Sequence, residues 1–297
     1  MKVLISGASG LIATELVRQL EARGDTPVRL VRRTASGANE VEWHPERGIL
    51  APNALDGIDA VVNLAGATIG KLPWSKSYKS ELVESRLAST RLLVEAINAA
   101  SVKPKVFVSG SASGFYGDTG QRLAVESDSF GAGFLADLSN RWEQEAAQVD
   151  SSVRLVLVRT SVVLSRKLGA LGKLLPLIKA GIGGPLGSGK QWWAWITLPD
   201  EARAIIHLLD TASAYGAFNL TAPEPATCLG IVRSLAKGLG RPAMLPVPAF
   251  ALRTLMGEGA NEVLLSNQKL SAQKLLDSGF EFQHPDLASA TEWVLGK

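Results

Sequence analysis

The first twenty residues leave few folds open. Met1-Lys2-Val3-Leu4-Ile5-Ser6 is a short apolar, partly β-branched run that stops at Gly7-Ala8-Ser9-Gly10. From Leu11 onward the apolar residues Ile12, Leu16, Val17 and Leu20 have the spacing of a helix with one face against a sheet. Strand, glycine turn and helix, in that order, make a phosphate cradle. Backbone N–H groups must approach a diphosphate closely, and side chains at Gly7 or Gly10 would hold it off. The helix also directs its positive dipole end at the same spot. Ala13 stands where close helix–strand packing requires a small residue. Gly7, Ser9, Gly10, Leu11 and Ile12 are therefore the expected diphosphate contacts. Any tight turn between strand and helix can use a glycine, but this position in the chain favours a dinucleotide.

Downstream, Gly24 reads as the stop of that helix and Pro27–Val31 as the second strand, which runs into Arg32-Arg33. In this fold an acid after the second strand binds the ribose 2′-hydroxyl of NAD, whereas arginine accommodates the 2′-phosphate of NADP. Two guanidinium groups and no acid point to NADP. The segment from Asp59 to Gly66 reads as a buried strand ending in small residues. Leu64, Ala65 and Gly66 are expected beside the adenosine and ribose, with Asn63 as a turn former. Apolar spacing predicts a helix over 79–100, with Arg86 on it as a candidate cation, and a strand follows from Lys105 to Ser109. That strand empties into Ser109-Gly110-Ser111-Ala112-Ser113-Gly114-Phe115-Tyr116-Gly117. Hydroxyls and glycines thus gather at the carboxyl end of a parallel strand, where open α/β sheets bind ligands. Helix 134–147 and strand 154–159 continue the alternation, which predicts an α/β chain built on a Rossmann-like, doubly wound parallel sheet.

Past Ser165 the pattern changes. An apolar helix over 171–180 leads to a glycine-rich stretch, 181–195, carrying Lys190, Trp192, Trp193 and Trp195. The Gly-Lys pair does not complete a Walker loop, because Gln191 stands where Ser or Thr is needed. The stretch reads either as a cover over a ligand pocket or as a loop whose tryptophans plug a core. The expected division is a nucleotide-binding unit at 1–165, rejoined by 196–225. A smaller, mostly helical substrate unit then comprises 166–195 and 226–297.

Composition removes several alternatives. With 297 residues, 46% hydrophobic and 20% charged, the chain can build a large core, and a net charge of +3 is too small to argue for nucleic acid. No apolar run is long enough for a bilayer, and Met1-Lys2 leading straight into a core strand argues against a signal peptide. A single cysteine, Cys228, fits a reducing cytoplasm, and three scattered histidines make a metal site improbable.

Taken together, Gly7–Gly10, Asn63–Gly66, Glu84-Ser85-Arg86, Ser109–Gly117, Arg159-Thr160, Gly183–Gly189 and Phe218–Pro223 resemble one group. They resemble the atypical extended short-chain dehydrogenase/reductases labelled NAD-dependent epimerase/dehydratase or nucleoside-diphosphate-sugar epimerase. Some of that group have been labelled cell-division inhibitors of the SulA type. The tail from about Leu245 is similar to its small C-terminal domain of unknown function. The resemblance spans essentially the whole chain and implies NADP at the first turn without naming a substrate.

Departures from the pattern bear on catalysis. Epimerases of the wider superfamily use a Tyr-x-x-x-Lys pair on the helix that corresponds to 134–145, where this chain has neither residue. Ala67 replaces an acid of the narrower pattern, Thr197 replaces a histidine, and Phe115-Tyr116 replaces paired tyrosines. Two readings follow. In one, the chain is an NADP-dependent oxidoreductase or epimerase for a small sugar-like or anionic molecule. Ser111 and Tyr116 are then the candidate catalytic groups, and Ser113, Lys190 and Trp193 the substrate contacts. In the other it is a non-catalytic NADP(H) sensor or scaffold. Both take a small molecule, require neither nucleic acid nor membrane, and allow a homo-oligomer.

Overall fold

A computed structural model of the protein describes residues 1–166, 170–243 and 245–297. The chain opens with β1 (Lys2–Ser6), α1 (Leu11–Ala22), β2 (Thr26–Val31), β3 (Glu40–His44), β4 (Ile49–Leu50) and β5 (Ala60–Asn63). There follow α2 (Lys76–Ala99), β6 (Val106–Ala112), α3 (Phe134–Ala146), β7 (Arg154–Thr160), β8 (Val162–Leu164) and α4 (Ala170–Lys179). The remainder is β9 (Trp192–Trp193), β10 (Trp195–Thr197), α5 (Leu198–Asp210), β11 (Gly216–Leu220), β12 (Ala226–Thr227), α6 (Cys228–Gly238), α7 (Ala249–Met256), a π-helical turn Ala260–Leu265, α8 (Gln273–Asp277) and α9 (Leu287–Leu295).

Eight strands form one sheet in the order β11-β7-β6-β5-β1-β2-β3-β4. Every pairing is parallel except β3 with the two-residue β4 at the edge. Strand residues alternate between two cores, as a pleat with both faces covered requires. Val3 and Ile5 of β1 pack with Leu16 and Leu20 of α1 and Ile205 and Leu208 of α5. Leu4, between them, packs with Val61, Phe107, Leu93 and Ile97 on the α2 side. This is the doubly wound arrangement expected from the sequence. The chain order reverses beside β1, between β2 and β5, so the carboxyl ends of β1 and β5 open a crevice there.

The apolar cores divide the chain differently from the expected boundaries. Trp193 and Trp195 join Ile231, Val232 and Leu235 of α6 and Val294 of α9 in a core of their own. Leu275 and Phe280, expected in the smaller unit, lie instead in the α1/α5 core of the large sheet. The C-terminal region therefore packs into the α1/α5 core of the large sheet as well as around α6 and α9. The expected boundary at 165/166 adjoins residues 167–169, which lie outside the described residues.

Candidate functional site

The turn between β1 and α1 has the geometry of a cradle. Gly7 adopts φ +67°, and a Cβ on it would lie 2.6 Å from the carbonyl oxygen of Leu64. Glycine is required there on both counts. Gly10 N–H closes the turn on the Gly7 carbonyl at 2.8 Å, and α1 begins with no side chain capping its first turn. A helix start normally has Ser, Thr, Asp or Asn supplying an acceptor. Here the first N–H groups, at Leu11 and Ile12, remain open to an external acceptor, and Ser9 beside them is exposed.

The facing wall is built by Ser6 and Asn63, both fully buried. Ser6 Oγ donates to Asn63 Oδ1 at 2.5 Å and accepts the N–H groups of Leu64 and Ala65 at 3.0 and 3.1 Å. Asn63 Nδ2 donates to Thr90 Oγ1 at 2.8 Å, and Trp142 Nε1 donates to the same oxygen at 2.9 Å. Ser6, oriented by Asn63, thus fixes the backbone of Leu64 and Ala65 against the glycine turn.

Arg86 stands beside this wall. A Cβ on Gly66 would meet its Cζ at 3.1 Å, and the guanidinium lies 5.2 Å from the Trp142 ring centre. Its one hydrogen bond runs from Nη1 to the Leu82 carbonyl at 2.9 Å, and among the described residues no carboxylate pairs with it. Burial pulls its pKa down to about 10. A half-buried guanidinium without a counter-ion is unusual, since charges withdrawn from water are normally paired.

The two arginines after β2 differ. Arg33 grips Glu40 with both Nη atoms, at 2.8 and 2.6 Å, and holds that carboxyl down at about 2 with further help from Ser36. Arg32 is exposed and makes no hydrogen bond or ion pair within the described residues.

Around the Ser/Gly/Tyr loop the hydroxyl groups are already paired. Ser111 Oγ donates to Glu143 Oε1 at 2.6 Å, and that carboxylate grips Arg159 at 2.8 and 2.9 Å. Arg159 Nη1 donates to the Tyr116 hydroxyl at 2.8 Å, which in turn donates to Asn219 Oδ1 at 2.7 Å. Tyr116 is 2% exposed, and burial pushes its pKa up to about 12. Ser111 and Tyr116, expected to face a ligand, are placed inside a buried chain that ties β6 and α3 to β7 and β11. Reasoning from sequence missed Glu143. The available signal was an acid beside Trp142 on the buried face of α3, one turn after Ser139 and one before Ala146.

Between this loop and the C-terminal region lies a cavity of about 330 Å³, walled by Gly114 and Leu135 on one side and by Arg253, Glu262, Ser266 and Gln268 on the other. Ser113 reaches its edge, donating to Gln268 Oε1 at 2.5 Å. Lys190 is exposed in the loop before β9 and does not wall the cavity. Trp193 is buried in the α6/α9 core and donates its indole N–H to the Leu264 carbonyl at 3.1 Å. Its ring is a core plug, which corrects its expected substrate contact. A larger groove of about 400 Å³ lies elsewhere, between α1, α5 and Phe280, away from the strands' carboxyl ends.

Residues 3–221 match the NAD dependent epimerase/dehydratase family, and residues 247–294 match a domain of unknown function, DUF1731. The chain belongs to that epimerase/dehydratase family. It is 39% identical to an epimerase family protein of Mycobacterium bovis over 97% of this chain and 95% of that one. It is 35% identical to human epimerase family protein SDR39U1 over 99% and 100%. A crystal structure of the human protein, isoform 2, with NADPH superposes with a TM-score of 0.92 at 31% identity, covering 100% of this chain and 99% of that one. Among the described residues no helix is long and apolar enough to cross a membrane, and no cluster of metal-ligating side chains forms.

Proposed function

We propose that the protein binds NADP(H) across the carboxyl ends of β1, β2 and β5 and presents it to a small molecule held in the 330 Å³ cavity. The observation that carries this reading is a run of donors left without a side-chain acceptor along one edge. It comprises the α1 N-terminus, unpaired Arg32 and unpaired Arg86. In the proposed arrangement Gly7, Ser9, Gly10, Leu11 and Ile12 cradle the diphosphate, Arg32 meets the 2′-phosphate, and Leu64, Ala65 and Gly66 line the adenosine side. Arg86 supplies a cation beside Gly66. Arg33 acts through Glu40, holding the strand end in place. The NADPH in the human relative's structure supports the choice of cofactor. When bound, the nicotinamide would supply hydride chemistry.

The protein's own proton chemistry is limited. With no Tyr-x-x-x-Lys pair on α3, and with Ser111 and Tyr116 enclosed, the described side chains at the loop supply no group poised near neutral pH. This favours slow hydride transfer with the proton drawn from water, or a sensor that reads NADP(H) without turnover, over a fast epimerase. The division into a nucleotide-binding unit and a smaller ligand unit belongs to the same proposal. So does a reducing, cytoplasmic setting, where the buried Cys228 thiol stays inert with its pKa pushed up to about 11 by burial. Titration of NADPH followed by nicotinamide fluorescence, then tritium transfer from labelled NADPH to carbonyl compounds, tests both halves. Saturation with transfer marks an oxidoreductase, saturation alone a sensor, and no saturation refutes the reading.

A further inference from the structure

The wall of the cavity contributed by the C-terminal region carries a feature that decides what can enter. Glu262, on the π-helical turn, reaches across to α3 and accepts the N–H groups of Phe134 and Leu135 at 3.3 and 3.1 Å. The chain leaves room for it: a Cβ on Gly133, whose φ is +115°, would come within 2.7 Å of Glu262 Oε1. No side chain of α3's own segment caps that helix. The positive end of α3, the strongest local attractor for a phosphate, is thus already filled by a carboxylate from 128 residues away.

The remaining groups have the same bias. Asp118 and Glu262 bring two negative charges to the lining, and Arg253 brings one positive charge, whose Nε is held by Asn261 Oδ1 at 3.0 Å. The lining is net negative by one charge. The rest is shared between the neutral polar groups of Asn261, Ser266 and Gln268 and an apolar surface that includes Leu135 and Leu265. Gln268 accepts from Ser113 through Oε1, which leaves its NH2 group as a donor, and Ser266 donates to the Glu262 carbonyl, which leaves its oxygen as an acceptor. Asn261, with Oδ1 on Arg253, also keeps its NH2 free. The volume lies near the lower end of the roughly 300–1,000 Å³ usual for small-molecule pockets.

The geometry points to a small, uncharged, hydroxyl-rich molecule as the ligand of this cavity, with Glu262 as the specificity residue that bars nucleoside diphosphates. The inference rests on the reading of this cavity as the ligand site of an NADP(H)-binding protein. A diphosphate would bring two negative charges into a space already negative, beside a helix end that can no longer receive it. Like-charge juxtaposition of this kind costs enough to shift affinity by about tenfold or more.

The test uses the full chain saturated with NADPH, with saturation confirmed beforehand by nicotinamide fluorescence so that a failed cofactor site is seen separately. UDP-glucose is titrated calorimetrically into wild type and Glu262→Gln, whose amide oxygen can still accept one of the two α3 N–H groups. Wild type is expected to bind it no tighter than ~1 mM, and the variant about tenfold tighter or more. In parallel, aldoses and ketoses are compared pairwise with their monophosphates by thermal stabilisation, and the uncharged member is expected to stabilise wild type more. Tight UDP-glucose binding by wild type overturns the inference, as does equal refusal by a folded Glu262→Gln. A preference for the monophosphates, or no stabilisation by any uncharged sugar, overturns it as well.

Discussion

Two regions lie side by side along the carboxyl edge of the sheet, and both look like ligand sites in the sequence. At the β1–α1 turn the donors are open: α1 has no cap, and Arg32 and Arg86 have no carboxylate. At the loop after β6 the hydroxyls of Ser111 and Tyr116 are enclosed by Glu143, Arg159 and Asn219. A polar group recognises a ligand only where folding has left it unpaired. Where partners surround it, the same group is a strut, because a buried polar atom must find a partner within the protein.

The sharpest way to break that contrast is to remove Glu143. Its carboxylate neutralises Arg159, whose side chain is 5% exposed. Glu143→Ala leaves that guanidinium buried and alone, and stability should fall by about 3–5 kcal/mol in urea unfolding. NADPH affinity of the folded fraction should stay near wild type. A large loss of affinity with unchanged stability would move the Ser/Tyr loop from scaffold to binding site.

Tyr116→Phe should have a smaller effect of the same kind. The substitution strands Asn219 Oδ1 and one Arg159 N–H, worth about 1–3 kcal/mol of stability. Any turnover should survive, and its pH profile should show no tyrosine limb below the enclosed group's pKa of about 12. Collapse of turnover in a stable Tyr116→Phe protein would make the hydroxyl a catalytic group after all.

Glu201 gives the gentlest test near neutral pH. It lies fully buried in the first turn of α5, with Oε1 accepting from Thr160 at 2.6 Å and Oε2 without a partner among the described residues. Burial pushes its pKa up to about 8, so the folded protein holds this proton more tightly than the unfolded chain. The stabilisation is complete below the ordinary carboxyl range and is lost as pH climbs to about 8. Glu201→Gln should therefore match wild type in acid and exceed it in melting temperature above pH 8. Parallel melting curves for the two proteins across pH 5–9 would refute this.

The sequence made the fold legible because its signals are local. β-branched runs, helical spacing in α1 and α2, and the glycine turn each act within a few residues, and Gly24 ends α1 with φ +84° as expected. The cradle was legible for the same reason. What stayed hidden depends on distant partners. Arg32 and Arg33 are identical side by side, and only the arrival of Glu40 on β3 separates the engaged one from the free one. Trp193 looked like a ligand contact until α6 and α9 closed around it. Glu262 could not be linked to α3 from spacing, since it stands 128 positions after Phe134, the first of the N–H groups it accepts.

The central claim is that unpaired donors at this edge mark an NADP(H) site, and the adjacent arginines test it most directly. NADPH and NADH should be titrated by calorimetry into wild type, Arg32→Asp and Arg33→Ala. Wild type should prefer NADPH by about tenfold or more, as charge-assisted contacts to a phosphate imply. Arg32→Asp should abolish that preference, while Arg33→Ala, which loses only a group already on Glu40, should keep most of it. Equal affinities in wild type, or a preference that survives Arg32→Asp and vanishes with Arg33→Ala, would contradict the account.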